Sequence, residues 1–232
     1  GLGNNLFLKL INCAKLHHSQ FDDDGNVLEL QITKQLKHPN ITMYRDNLTL
    51  QLNGQRFVCI VFDFIAGETA AQYLTREQTC SVSSEIVVPK IIDFGHARYI
   101  DQNFGFIKEG VNPFYTAPEA FNGIFSPQTD LFSVGAILYH LLFGLPPYFM
   151  DLSLFQKERI LLIDAVQEGR QKPLKILDAN KFELDEQLIN TIHKALSLDI
   201  DSRFKSADEF LKALNGEIKV LKLSNEDKVN TS

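Results

Sequence analysis

Apolar and polar positions divide the chain into short segments. Leu6-Phe7-Leu8-Lys9-Leu10-Ile11 is an apolar run holding one lysine, which predicts a strand. A polar, Asp-rich stretch follows from His17 to Gly25. From Val27 to Leu36 the apolar residues fall at Leu28, Ile32 and Leu36, four apart, which predicts one face of a helix. His38-Pro39-Asn40 ends it, because proline disfavours helical geometry in the residue before it. Ile41 to Leu52 alternates and predicts a strand, Asn53-Gly54 a hairpin turn, and Phe57 to Ile65 a buried strand closed by Ala66-Gly67. A helical stretch from Gly67 to Leu74 and a Ser/Thr-rich loop from Thr75 to Glu85 come next. Ile86 to Ile92 predicts a short strand that stops at Asp93-Phe94-Gly95, where the aromatic can pack inward and the glycine frees the backbone to turn. Further on, a helix is predicted from Asp130 to Phe143, stopped by Gly144-Leu145-Pro146-Pro147, with Asp130 suited to cap its start. Phe155–Val166, Asp185–Leu196 and Ser206–Leu214 predict amphipathic helices, and Ser224–Ser232 a fraying polar tail.

Composition narrows the class. The 232 residues are 44% hydrophobic and 22% charged, which suits one globular domain or two closely packed lobes. The net charge of -6 comes from mixed acidic and basic residues without a basic tract, which argues against nucleic acid or anionic lipid as partner. Cys13, Cys59 and Cys80 are an odd number without motif spacing and read as thiols in a reducing compartment. The longest apolar run, Leu131 to Leu145, is interrupted by Ser133, His140 and two glycines and reads as a core helix, not a membrane span. With no signal pattern at the N-terminus, the expectation is a cytoplasmic, soluble protein.

Candidate chemistry centres on Asp93-Phe94-Gly95. Downstream stand Ala117-Pro118-Glu119 and then Asp130-Leu131-Phe132-Ser133-Val134-Gly135. That order and spacing resembles the second half of a protein kinase domain of the eukaryotic Ser/Thr type. The first half resembles the family's small lobe from its third strand onward. Lys9 sits where the family's strand lysine sits, and Glu29 lies nine residues before His38 of Leu-Lys-His-Pro-Asn-Ile, as the family's helix glutamate does. The resemblance implies an α+β, kinase-like bilobal fold, with a truncated small β lobe over residues 1–65, a mainly helical large lobe over 66–223 and a tail over 224–232. It implies ATP and Mg²⁺ as cofactors and a protein substrate or protein partner. Lys9 and Glu29 would form the ion pair that orients lysine toward the nucleotide phosphates, and Asp93 would bind Mg²⁺. Phe62 would be the gatekeeper, Asp63 to Ile65 the hinge on the adenine edge, and Glu68 the residue that meets the ribose. Glu119 would pair with Arg203 of Asp199-Ile200-Asp201-Ser202-Arg203, a structural bond whose partner offsets the desolvation of a buried carboxylate.

Several departures bear on activity. No His-Arg-Asp occurs anywhere in the chain, so the base and the second metal ligand have no candidate, and no residue is assigned as catalytic. The sequence starts just before the Lys9 strand, without a glycine-rich loop, and Gly1 and Gly3 do not stand in for one. The segment from Gly95 to Ala117 offers no serine or threonine before Thr116; Tyr99 is a possible acceptor, Tyr115 fits a structural tyrosine, and Asn112 stands where the family places a threonine. Two residues before Lys9, Phe7 replaces a small residue that lies on the adenine ring, which argues against ordinary ATP binding. Two readings result: a pseudokinase interaction module, or an active Ser/Thr kinase whose catalytic loop is missing from the written sequence. In either, loss of the helix that packs on Asp130–Phe143 predicts that Ile137 and Leu141 face solvent or a partner.

Overall fold

The computed structural model describes residues 5–73, 87–100, 111–148 and 184–221. The chain forms two compact units, residues 1–103 and 104–232. The helix expected at Phe155–Val166, the loop at Thr75–Glu85, Cys80 and the tail from Ser224 lie outside the described residues.

The first unit is a three-stranded antiparallel sheet with one helix on a face. Strands β1 (Leu6–Asn12), β2 (Tyr44–Leu52) and β3 (Gln55–Asp63) lie in the order β1-β3-β2. Asn53 and Gly54 both have positive φ, which gives the hairpin between β2 and β3 the twist that a two-residue turn needs. Strand β3 ends at Asp63, two residues short of the predicted Ile65, and β2 begins at Tyr44, not Ile41. Helix α1 (Leu28–Gln35) covers one face of the sheet. Val27 and Leu30 pack there against Ile11, Val58, Ile60 and Phe62, and each such buried side chain contributes about 1.5–3 kcal/mol. Leu28 and Ile32, at the predicted spacing, are buried as well, with Glu29 and Thr33 beside them, but the core shared with the sheet takes Val27 and Leu30.

The second unit is helical in its described parts. Helix α2 (Pro127–Phe143) packs on α3 (Glu186–Ala195), and α3 packs on α4 (Ala207–Leu214). Phe132, Ala136, Tyr139, Ile192 and Leu196 form one core, and Leu131, Ala195, Phe204, Phe210 and Ala213 another. A Cβ added at Gly135 would stand 2.8 Å from Ala195 Cβ, so this glycine sets how closely α2 and α3 approach. Helix α2 starts three residues before Asp130. Ser126 is the cap and Pro127 takes the first helical position, where its missing N–H has no partner to lose. The Ser126 N–H donates to Thr129 Oγ1 at 3.1 Å. Asp130 is therefore not the cap; it is an exposed first-turn residue. On the same side of α2, Ile137 and Leu141 are 44% and 41% exposed, as the sequence led us to expect.

The predicted strand before Asp93 is not formed as a strand among the described residues. Ile91 makes one parallel bridge to Ile41, with Ile91 N–H donating to Asn40 O at 2.7 Å and Thr42 N–H to Ile91 O at 3.1 Å. Val87, Val88, Ile91 and Ile92 are exposed. An apolar run becomes a buried strand only when other elements cover it, and that covering is non-local.

Candidate functional site

Three elements of the first unit converge on one charged cluster. Strand β1 supplies Lys9, the first turn of α1 supplies Glu29, and the turn after Ile92 supplies Asp93. Lys9 Nζ donates to Glu29 Oε1 and to Asp93 Oδ1, each at 2.6 Å. Side-chain exposure is graded across the cluster: 7% for Glu29, 27% for Lys9 and 66% for Asp93. Burial alone would lower the Lys9 pKa, but the hydrogen bonds it donates to Asp93 and Glu29 raise it above the ordinary lysine value. The same Lys9 bond holds the Asp93 carboxyl below the usual range, against a smaller desolvation effect and helped by the Gly95 amide. Both shifts favour the charged forms, an ammonium at Lys9 and a carboxylate at Asp93.

The backbone at Asp93 is unusual. Its φ is +66°, in the left-handed region that asparagine and aspartate tolerate best among non-glycine residues. The Gly95 N–H donates to Asp93 Oδ1 at 3.0 Å and closes the turn. The sequence assigned the turning role to Gly95, but Asp93 carries the left-handed φ. Gly95 is needed for space. A Cβ there would stand 3.2 Å from Asp93 Oδ1, 3.4 Å from Glu29 Oε2 and 3.6 Å from Lys9 Nζ. The glycine of the tripeptide was legible; its crowding against all three charged groups was not.

Of the expected site residues, Lys9, Glu29 and Asp93 are brought together. Asp63 is held elsewhere: Arg45 Nε and Nη2 bond its two carboxylate oxygens at 2.5 and 2.6 Å. The hydrogen bonds lower the Asp63 pKa and raise that of Arg45. Sequence reading missed this pair because β2 carries an irregularity between Tyr44 and Asp46, which re-aims Arg45. The Asp63 and Phe64 N–H groups donate to Met43 O and Asn5 O, both at 3.0 Å. Phe62 is buried, Ile65 is half-buried beyond the sheet and Glu68 is exposed. Phe7 is exposed on the strand face that carries Lys9.

The residues present fit a nucleotide with magnesium in part. Lys9 has three donors, and two are spent on Glu29 and Asp93. The Lys9 and Gly95 bonds of Asp93 both fall on Oδ1, which leaves Oδ2 as a hard oxygen for a divalent cation. Among the described residues no three His, Cys, Asp or Glu side chains gather as a metal site, so the further ligands of a cation here would be water or phosphate oxygens.

The second unit holds a different charged pair. Arg203 Nη1 and Nη2 bond Glu119 Oε1 and Oε2 at 2.7 and 2.9 Å, as the sequence implied. Arg203 Nε donates to Ser197 O at 2.7 Å and Nη1 to Gln128 O at 3.1 Å, while its plane lies 4.8 Å from the Phe132 ring. Thr129 Oγ1 donates to Glu119 Oε1 at 2.9 Å. Burial would raise the Glu119 pKa, but these bonds hold it below the usual range. Tyr115 Oη lies 2.5 Å from His140 Nδ1, consistent with a structural tyrosine. Thr116 Oγ1 donates to Asn112 O at 2.9 Å.

Comparison with known proteins agrees with this geometry. The sequence profile described as protein kinase domain matches residues 82–214, more than half of the chain. The chain belongs to the protein kinase family. It is 28% identical to calcium-dependent protein kinase 20 of Oryza sativa subsp. japonica, across 70% of this chain and 35% of that protein. It is 24% identical to serine/threonine-protein kinase Nek2 of Homo sapiens, across 80% of this chain and 48% of that protein. The chain thus spans between a third and a half of the length of these relatives. The solved structure of the Cydia pomonella granulovirus kinase PK-1 superposes with a TM-score of 0.65 at 15% identity, covering 92% of this chain and 86% of that one. The α+β, kinase-like fold is therefore that of the chain. Among the described residues no helix is long and apolar enough to cross a membrane.

Proposed function

We propose that this chain is a non-catalytic member of the protein kinase family that works by binding another protein. The observation that carries the proposal is the lack of any His-Arg-Asp in the whole sequence. Without that aspartate no group takes the proton of an incoming hydroxyl, and without the asparagine that follows it a second metal ion lacks its ligand. Lys9 and Asp93 would hold the phosphates and one Mg²⁺, and the group would supply charge neutralisation there. The Asp93 carboxylate would repel a bare polyphosphate, and the cation would offset that repulsion. Phe7, on the Lys9 face of β1, opposes purine binding. Cytoplasmic location and a protein partner belong to the same proposal.

A second reading has one specific observation in its favour. The Lys9–Glu29–Asp93 cluster is fully formed, with both lysine contacts at 2.6 Å, and a protein Ser/Thr kinase completed by a catalytic loop absent from this sequence would need that cluster. Two measurements separate the readings. Transfer of labelled γ-phosphate from Mg-ATP to a generic Ser/Thr acceptor is expected to be at background; turnover that Lys9→Ala abolishes would overturn the non-catalytic reading. A Mg-ATP thermal shift lost in Lys9→Ala would show that nucleotide binding has survived without transfer.

A further inference from the structure

We propose that Arg98 is the positioning residue of the charged cluster, holding the turn that presents Asp93 to Lys9. The use of that positioning in ligand binding rests on the functional reading above; the positioning itself needs neither nucleotide nor metal. Asp93 has a φ of +66°, and a left-handed backbone at a residue with a side chain persists only where its surroundings hold it. The Gly95 N–H closes the turn from within by donating to Asp93 Oδ1, and the Ala97 N–H donates to Phe94 O at 3.0 Å. Arg98 closes it from the far end. Its Nη1 donates to Gly95 O at 3.1 Å and to Ala97 O at 2.7 Å.

The place of Gly95 gives these bonds their reach. A Cβ there would meet Asp93, Glu29 and Lys9 within 3.6 Å, so a side chain that fixes Gly95 O fixes the point around which the three charges gather. Arg98 is half-buried. Burial lowers its pKa from the ordinary arginine value, and attraction to the Glu29 carboxylate works against that, so its charge is also felt at the buried end of the cluster. The next residue is tied to the helix that carries Glu29: Gln35 Nε2 donates to Tyr99 Oη at 2.8 Å. Glu29 and Gln35 stand six residues apart on α1, about 9 Å along its axis. The turn therefore meets α1 at both ends, and Arg98 fixes the stretch between. The guanidinium of Arg203 grips a carboxylate, whereas Arg98 spends its bonds on the carbonyls of its own turn. Without Arg98, Gly95 O loses its donor and the positive φ at Asp93 loses support. Lys9 then keeps Glu29 and releases Asp93.

Exchange of backbone amides with solvent, followed by NMR on the 232-residue chain with no nucleotide or metal added, tests this. In Arg98→Met the Gly95 amide is expected to exchange about tenfold faster or more, because its bond to a charged acceptor opens. Two amides of the same unit are controls. Ile60, wholly buried in β3, reads the fold as a whole. Asn26, whose N–H donates to Asp22 Oδ1 at 2.7 Å, reads a bond of the same kind elsewhere in the unit. Both should keep their wild-type rates. An unchanged Gly95 rate would overturn the proposal. So would Ile60 and Asn26 accelerating as much as Gly95, since that shows lost stability and not lost position. Should Arg98→Met fail to fold by circular dichroism, Arg98→Gln makes the same comparison with a polar side chain, and an unchanged Gly95 rate in it counts equally against Arg98. Because no ligand is present, a failure of nucleotide binding and a failure of this proposal are separate results.

Discussion

The two charged clusters of this chain use similar side chains and are buried to opposite degrees. Arg203 is wholly buried, with 0% side-chain exposure, and its guanidinium is surrounded by a carboxylate, backbone carbonyls and a ring. Lys9 is part-exposed, shares its ammonium between two carboxylates, and leaves Asp93 largely open. The first arrangement satisfies almost every donor within the fold and has nothing left for a ligand. The second leaves a donor and an oxygen unspent. Position relative to water separates a pair that holds a structure together from a cluster that can receive something.

The comparison can be broken most severely at Arg203. Arg203→Met leaves Glu119 as a near-buried unpaired charge and should cost about 3–5 kcal/mol, read as a large fall in the denaturant midpoint. Acid provides a gentler version. Because the folded Glu119 pKa lies below its unfolded value, the pair's contribution is complete above the ordinary carboxylate range. It is lost as pH falls through the depressed folded value, and the slope of stability against pH in that window should be shallower in Glu119→Gln. At the other cluster, Lys9→Met strips buried Glu29 of its ammonium partner and should cost about 2 kcal/mol by thermal or urea unfolding. Gly95→Ala should cost about 1 kcal/mol or less, because exposed Asp93 can shift, but it should raise the Asp93 pKa measured by NMR by weakening the Lys9 bond. Asp93→Asn should change stability by about 0.5 kcal/mol or less, since the carboxylate is mostly solvated and asparagine also tolerates positive φ. A large loss in Asp93→Asn would erase the contrast between the clusters.

What the sequence revealed follows the same division. Lys9, Glu29, Asp93, Glu119 and Arg203 were legible because their spacing from short motifs survives in the chain. Helix α1 was legible because Leu28 and Ile32 are local periodicity, but its contact with the sheet, through Val27 and Leu30, was not. The Arg45–Asp63 pair was not, since a one-residue irregularity in β2 leaves no mark in composition. The strand before Asp93 was overread, because Ile91 and Ile92 state only that the segment could be buried. The start of α2 was misplaced although Ser126-Pro127 signals a cap followed by a first helical residue; Asp130 drew attention through the motif it belongs to.

Gly135 links the helices to the ion pair beside them. Its bare backbone lets α2 rest on Ala195, and Ser197 and Leu198, whose carbonyls accept from Arg203, follow within three residues. A methyl group at position 135 would act as a wedge between α2 and α3, and the displacement would reach the carbonyls that seat the guanidinium. The smallest side chain in the unit thus sets the tolerance for its most deeply enclosed charge.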